Sequence, residues 1–187
     1  MFTVVLDACV LAPNALCDTL LRLAERRFYR PLWSQRILDE TAEAIRAVHP
    51  DITDDRIARR IGLMNATFDD ALVTAWEPVC AGIDLPDPDD RHVVAAAVRG
   101  GAQTVVTFNC RDFPPACLEP LGLEAVHPDD FLLDQLDLLP GAALRVLTEQ
   151  ADALRNPATD LAGVLNRLER CGVPRFADAV RLVDPEA

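Results

Sequence analysis

Acidic and amide side chains occur at four separate places in the sequence where they could share one chemistry. Asp7 ends an apolar run, Glu40 lies on the margin of an apolar helical stripe, and three acids fall within Asp87–Asp90. Asn109 and Asp112 follow a second apolar run. Oxygen ligands of this kind suit Mg²⁺ or Mn²⁺ rather than zinc. Taken together, these residues predict a divalent-metal site.

Each position also has an ordinary structural explanation. Asp7 fits a turn former at a strand end, and Glu40 fits a peripheral acid whose aliphatic stem covers apolar surface. Capping of a helix explains part of Asp87–Asp90, although three acids in four positions repel one another unless a cation neutralises them. Asn109 fits an Asx turn, and Asp112 fits a loop acid. The metal hypothesis therefore depends on the set and not on any single residue.

The basic residues exclude several classes of enzyme. All 18 are arginine, and the chain contains no lysine. A P-loop nucleotide site and Schiff-base catalysis both need a lysine. Receiver domains and aspartyl-phosphate phosphatases, which also begin with a strand ending in Asp, use a lysine to hold the phosphoryl group. Composition rules out all four.

Cysteine, histidine and the N-terminal residues predict the compartment. The cysteines, at positions 9, 17, 80, 110, 117 and 171, form no CxxC pair, and the three histidines are far apart, so zinc-ligand spacing is absent. The chain begins with no basic segment before its apolar run, which argues against a signal peptide, and no stretch is long enough to span a membrane. Free cysteines then predict a reducing cytoplasm.

The net charge of −12 argues against indiscriminate adhesion to nucleic acid or to an anionic membrane. Its distribution is uneven, because residues 71–140 carry 3 arginines against 12 acids. Half of the arginines lie between Arg22 and Arg60, where there are only 7 acids. A local positive surface that faces RNA or a partner is therefore compatible with the acidic total.

The pattern of apolar residues predicts the elements that would position these side chains. Apolar runs predict strands at Phe2–Leu6, Tyr29–Trp33, Thr104–Phe108 and Leu123–Val126, and near Val79–Leu85. Helical patterns cover residues 14–27, 34–48, 54–76 and 90–99. This alternation predicts a three-layer α/β/α fold with a central parallel sheet. Ligand sites form beyond the carboxyl ends of such strands, which places Asp7 and Asn109 at one edge.

From about Asp129 the pattern predicts helices only. They cover 129–138, 141–154, 159–171 and 174–183, with breaks at Pro140, Asn156-Pro157 and Gly172-Val173-Pro174. We predict an α/β domain over residues 1–128 and a helical extension over 129–187. The apolar periodicity of the extension is more typical of core packing than of a groove for a partner.

Four segments, in this order and spacing, resemble the PIN domain family of metal-dependent ribonucleases. They are Val5–Leu11 (VLDACVL), Pro31–Ser34 followed by Ile37–Glu40, the Asp87–Asp90 run, and Thr107–Asn109 followed by Asp112–Pro114. The resemblance covers residues 2 to about 130 and is greatest to the VapC-like toxin branch.

The resemblance implies roles for particular residues. Asp7, Glu40 and Asp90 match the family's first three acids as catalytic metal ligands for Mg²⁺ or Mn²⁺. At the fourth position many relatives have Asp where this chain has Asn109, so either Asp112 or the amide oxygen of Asn109 would complete the set. Asp87 and Asp89 remain candidates for a second metal or for capping.

The resemblance also implies a function and partners. The chain would be an endoribonuclease that acts on RNA as the toxin of a type II toxin–antitoxin pair, with a small antitoxin and a homodimeric state. Two alternatives remain open: a catalytically inert PIN-like binding module, to which Asn109 lends support, and a PIN nuclease that acts outside toxin–antitoxin biology.

Overall fold

The computed structural model describes residues 2–155 and 157–183. Met1, residues 184–187 and Asn156, which falls at a predicted helix break, lie outside the described residues. The strands are β1 Thr3–Leu6, β2 Arg30–Ser34, β3 Leu72–Val73, β4 Thr104–Val106 and β5 Glu124–Val126. The helices are α1 Ala8–Leu11, α2 Asn14–Glu25, α3 Gln35–Val48, α4 Asp54–Thr67, α5 Arg91–Gly100, α6 Pro115–Leu118, α7 Pro128–Leu138, α8 Pro140–Ala153, α9 Leu161–Arg170 and α10 Pro174–Val183.

These elements form two compact units. The described parts of residues 1–12 and 29–126 form the first unit, and those of 13–28 and 127–187 form the second. Helix α2 therefore groups with the C-terminal helices, although it lies inside the segment 1–128 that the sequence assigns to the α/β domain. The division of the chain at residue 128 stays a prediction.

The first unit is built on a parallel sheet with strand order β3-β2-β1-β4-β5. Val5 of the central strand β1 pairs with Leu32 of β2 on one side and with Val105 of β4 on the other. All three of these side chains are almost completely buried, as expected for a parallel sheet that is covered on both faces. This confirms the predicted α/β fold with a central parallel sheet and C-terminal helices.

The connections between the strands create the layers around the sheet. The chain moves outward from β1 to β2 and β3, then crosses back to β4 and continues to β5. Because parallel crossovers are right-handed, helices in connections that run in opposite directions cover opposite faces of the sheet. Helix α3 therefore lies on one face and α5 on the other. The close packing of α5 is visible at Gly100, where a Cβ would overlap the Leu32 side chain of β2.

Two predicted elements in the segment 54–85 are wrong. The helix predicted over 54–76 ends at Thr67, because Asp69-Asp70 turn the chain so that the Ala71 carbonyl accepts the Trp33 N–H at 3.0 Å. The edge strand is the two-residue β3 and not the segment near Val79–Leu85. Residues Glu77–Gly82 instead form a 3₁₀ turn that has Pro78 as its second residue and buries none of its residues.

The second unit consists of helices. Gln150 of α8 is buried and is satisfied by α2: its Oε1 accepts from the Thr19 hydroxyl at 2.7 Å, and its Nε2 donates to the Ala15 carbonyl at 3.0 Å. Val164 and Leu165 of α9 are fully buried, which agrees with the core-packing interpretation of the apolar periodicity. Across residues 2–155 and 157–183, none of the helices has the length and hydropathy needed to cross a bilayer.

Candidate active site

Asp7 lies at the carboxyl end of β1, where the order of the strands changes direction. From β1 the chain goes first to β2, while β4 on the other side is reached only later, so the β1–β4 junction is the switch point at which α/β sheets bind ligands. The Asp7 N–H donates to the Val106 carbonyl of β4 at 3.1 Å. Its side chain is only 7 % exposed. The sheet itself therefore fixes the position of this acid.

The Asp7 carboxylate is oriented by three donors. Oδ1 accepts the Ala8 N–H at 2.7 Å, which caps the short helix α1. Oδ2 accepts from the Thr107 hydroxyl at 2.7 Å and from the Cys9 thiol at 3.1 Å. Burial, followed by the negative charge of Asp7, raises the pKa of Cys9 to about 12, so the thiol keeps its proton and acts as a donor. The Asn109 N–H in turn donates to the Thr107 hydroxyl at 3.0 Å.

Glu40 is brought to the same region by α3, whose N-terminus is capped by the Ser34 hydroxyl. Its Oε1 accepts from Arg36 Nε at 2.8 Å, and His92 Nε2 of α5 lies 3.1 Å from the same oxygen. Burial raises the pKa of Glu40 in spite of the opposing effect of Arg36, and the nearby charge of Asp7 raises it further. Glu40 is therefore a held carboxylate and not a freely moving surface acid.

His92 is nearly as buried as Asp7, at 6 % exposure. Burial, then the charge of Arg36, lowers its pKa, which favours the neutral ring, and its Nε2 lies 3.1 Å from Glu40 Oε1. Its Nδ1 is buried and has no hydrogen-bond partner among the described residues. The imidazole therefore lies against Glu40 and leaves one buried nitrogen unpaired in the described part of the chain.

The acids of the Asp87–Asp90 run have different tasks. Asp87 caps the 3₁₀ turn Pro88–Asp90, since its Oδ1 accepts the Asp89 N–H at 2.9 Å. Asp90 occupies the position before α5, yet its side chain makes no capping hydrogen bond. Capping therefore accounts for Asp87 and leaves the Asp90 carboxylate unassigned.

Asp90 is surrounded by other acids. Its pKa is raised to about 6, first by burial and then by the charges of Asp7, Asp87, Asp112 and Glu40, in that order. Residues more than 80 positions apart thus act on one carboxyl group. Like charges that converge in this way favour binding of a cation, which would remove the repulsion.

The loop after β4 supplies its acid from Asp112. Asn109 is exposed, its side chain makes no capping bond, and its backbone shapes the 3₁₀ turn Cys110–Asp112 by accepting the Asp112 N–H at 2.9 Å. Asp112 is half-buried and contributes to the raised pKa of Asp90. Asp112 is therefore the residue of this loop whose charge acts on Asp90, and the choice between Asp112 and Asn109 as fourth ligand stays a prediction.

The donor set fits a hard divalent cation, because it consists of carboxylate oxygens whose mutual repulsion is not relieved. No group of three His, Cys, Asp or Glu side chains within 2–155 and 157–183 is already arranged at metal-holding distances. The structure therefore supports the chemistry of a cation site without defining its coordination geometry.

Sequence reasoning missed the side chains that hold the two central acids. Thr107 and Cys9 orient Asp7, while Arg36 and His92 hold Glu40. The one local signal was the spacing of Arg36 and Glu40, four residues apart on α3. The Thr107–Asp7 and His92–Glu40 contacts join distant segments and leave no signal in a single sequence.

Comparisons with known proteins identify the family of this chain. A family model described as "PIN domain" matches residues 3–111, and one described as "VapC50 C-terminal domain" matches residues 128–182. The chain is 45% identical over 96 residues to a Mycobacterium tuberculosis (strain ATCC 25618 / H37Rv) protein named "Putative ribonuclease VapC50". That match covers 51% of this chain and 56% of the relative, or about half of each. No solved structure matches. Because the PIN model spans more than half of its length, this chain belongs to the PIN domain family.

Proposed function

We propose that this protein is a metal-dependent endoribonuclease that hydrolyses RNA phosphodiester bonds. The observation that carries the proposal is the convergence of charge from Asp7, Glu40 and Asp112 on Asp90, at the sheet edge where α/β folds bind ligands. The likeness to a protein named as a ribonuclease supports RNA as the substrate.

Asp7, Glu40, Asp90 and Asp112 would hold Mg²⁺ or Mn²⁺ between them. Such a cation lowers the pKa of water and offsets the charge of the scissile phosphate. The metal assignment rests on the oxygen-only chemistry of the donors, which distinguishes these ions from zinc.

The chain's own residues prepare the site before substrate arrives. Thr107 and the backbone of Ala8 fix the direction of the Asp7 oxygens, so little reorganisation of that carboxylate is needed. The protonated Cys9 thiol adds a third donor without bringing a further negative charge. Arg36 and His92 hold Glu40 in the same way from α3 and α5.

We extend the proposal to a biological role as the toxin of a type II toxin–antitoxin pair acting in the cytoplasm. The match of residues 128–182 to the VapC50 C-terminal domain supports placement in that branch. Its partners would be a cognate antitoxin and a second copy of this chain. Co-expression of a small protein encoded by a neighbouring gene should suppress the RNA cleavage caused by this chain.

An RNA cleavage assay on the full chain tests the enzymatic proposal. With Mn²⁺ or Mg²⁺ the protein should cut single-stranded RNA, and EDTA should stop the reaction. Asp7→Asn should lose cleavage by about 100-fold or more, since one preorganised charge is removed from the site. Full activity in Asp7→Asn would overturn the assignment of the site. If neither metal gave cleavage of any RNA, the result would indicate the inert binding module.

A further inference from the structure

A pocket of about 500 Å³ lies beside Glu40, a volume within the usual range for binding sites of small molecules. Arg36, which hydrogen-bonds Glu40, and His92, whose Nε2 lies 3.1 Å from it, form part of its lining, together with Trp76, Pro88 and Arg91. It therefore adjoins the acid cluster but has a different chemistry.

One wall of the pocket is aromatic. The rings of Trp76 and His92 lie 6.0 Å apart at an angle of 57°. Trp76 is partly exposed, and the preceding Ala75 adopts a left-handed conformation with φ of 54°, which is strained for a residue other than glycine. The backbone thus adopts a costly turn next to a tryptophan that is incompletely buried, a combination often found where a side chain serves binding.

The pocket also carries two guanidinium groups with unused hydrogen-bond donors. Arg36 bonds Glu40 through Nε, and its Nη groups make no hydrogen bond among the described residues. Among the described residues, the one acid that pairs with Arg91 is the fully exposed Asp84, at 3.9 Å. The buried Nε of Arg91 has no hydrogen-bond partner among these residues. Asp89 is the acid in the lining and Arg36 is also paired with Glu40, so the pocket offers free guanidinium donors and not an excess of positive charge.

We propose that this pocket binds the nucleotide next to the scissile phosphate of the RNA strand, with its base against Trp76 and its phosphate on Arg91. The assignment rests on the nuclease function proposed above. Aromatic faces stack on any base, and guanidinium forks suit phosphate oxygens. A strand held in this way would lead from the guanidinium donors of the pocket to the adjacent acids, which gives an acidic protein a defined point of contact with RNA.

Binding measurements in EDTA test the pocket separately from catalysis. The probe is a fluorescein-labelled single-stranded RNA, whose anisotropy is followed with the full chain. Trp76→Ala should weaken binding about tenfold or more, whereas Trp76→Phe, which keeps an aromatic face, should stay within about threefold of wild type. Arg91→Gln should weaken binding about fivefold and reduce the salt dependence by roughly one phosphate contact. Arg46→Gln, which changes an exposed arginine on α3 paired with Asp54, is the matched control and should have little effect.

A second measurement covers the case in which Trp76→Ala does not fold. Trp33 is completely buried, so quenching of wild-type tryptophan fluorescence by unlabelled RNA should come from Trp76 and disappear in Trp76→Phe. Absence of quenching, wild-type affinity in Trp76→Ala, or equal losses in Arg46→Gln and Arg91→Gln would each overturn the pocket. Failure of the nuclease proposal would appear elsewhere, as lack of cleavage with Mn²⁺ by a protein that still binds RNA through Trp76.

Discussion

The same tripeptide, Pro-Asp-Asp, leads into one helix in each unit of the molecule, at residues 88–90 before α5 and at 128–130 in α7. The local geometry is also similar. Asp87 accepts the N–H of Asp89 through its carboxylate, and His127 accepts the N–H of Asp129 through its ring nitrogen. Two nearly identical helix entrances thus stand in different surroundings.

The two sites differ in the groups that surround their acids. Asp129 is 4 % exposed, and its two oxygens accept the N–H groups of Arg175 and Phe176 in the first turn of α10. Asp130 beside it pairs with Arg175 on the surface. Asp90 makes no such capping bond and meets other carboxylates instead. The Asp129 carboxylate thus stabilises the fold by satisfying backbone donors, whereas the negative charges around Asp90 favour binding of a cation.

The largest expected difference between the two entrances is in catalysis. Asp90→Asn should reduce Mn²⁺-dependent RNA cleavage by about 100-fold or more, because it removes a charge from the proposed metal site. The same change at Asp129 should leave cleavage within about threefold of wild type. Single-turnover rates on one RNA substrate provide the measurement. Equal losses in the two variants would contradict the distinction.

The next difference is in stability. Asp129→Ala should lower the free energy of unfolding by about 2–3 kcal/mol, because two N–H groups at the start of α10 lose their acceptor. Urea denaturation followed by circular dichroism measures the loss. Asp130→Ala is the matched control and should cost less than about 0.5 kcal/mol, since its ion pair with Arg175 is exposed to solvent. A control as damaging as Asp129→Ala would refute the proposed helix cap.

The smallest difference is a dependence on pH. The pKa of Asp90 is raised from 3.8 to about 6, so the folded protein binds this proton more tightly than the unfolded chain does. The stability that the folded protein gains from binding this proton is complete below pH 3.8 and is lost as the pH rises through about 6. In EDTA at about pH 7.5, Asp90→Asn should therefore stabilise the protein by about 1 kcal/mol, after allowance for solvent screening. The gain should vanish near pH 4 in the same denaturation assay. A loss of stability in Asp90→Asn at pH 7.5 would contradict the raised pKa of Asp90.

The strands of the sheet centre were predictable because burial on both faces imposes continuous apolar runs. Val4, Val5 and Leu6 in β1 and Val105 and Val106 in β4 show that pattern and are fully buried. The edge strand β3 was not predictable. Strand β3 has only two residues, of which Leu72 is exposed, and its position is set by pairing with Trp33 and Ser34 of β2. Pairing with a distant strand leaves no periodic signal in so short a segment.

The assignment of helix α2 to the second unit was not predictable from the sequence either. Helix α2 has a clear helical pattern, and its existence was predicted. Which unit it belongs to depends on contacts with residues far along the chain, such as that between Thr19 and Gln150. Sequence patterns predict domains as continuous segments of the chain. Packing between distant segments can join residues 13–28 to residues 127–187 in one unit.

By itself, the sequence determined the α/β class, the supply of oxygen donors and the exclusion of lysine chemistry, because each depends only on composition and local periodicity. The two Pro-Asp-Asp segments show what it could not determine. Both are suited to begin a helix by their local chemistry. Only the tertiary structure placed Asp90 among acids at the carboxyl edge of a sheet and Asp129 against the first turn of α10, because electrostatic environment is a property of the neighbours that folding brings together.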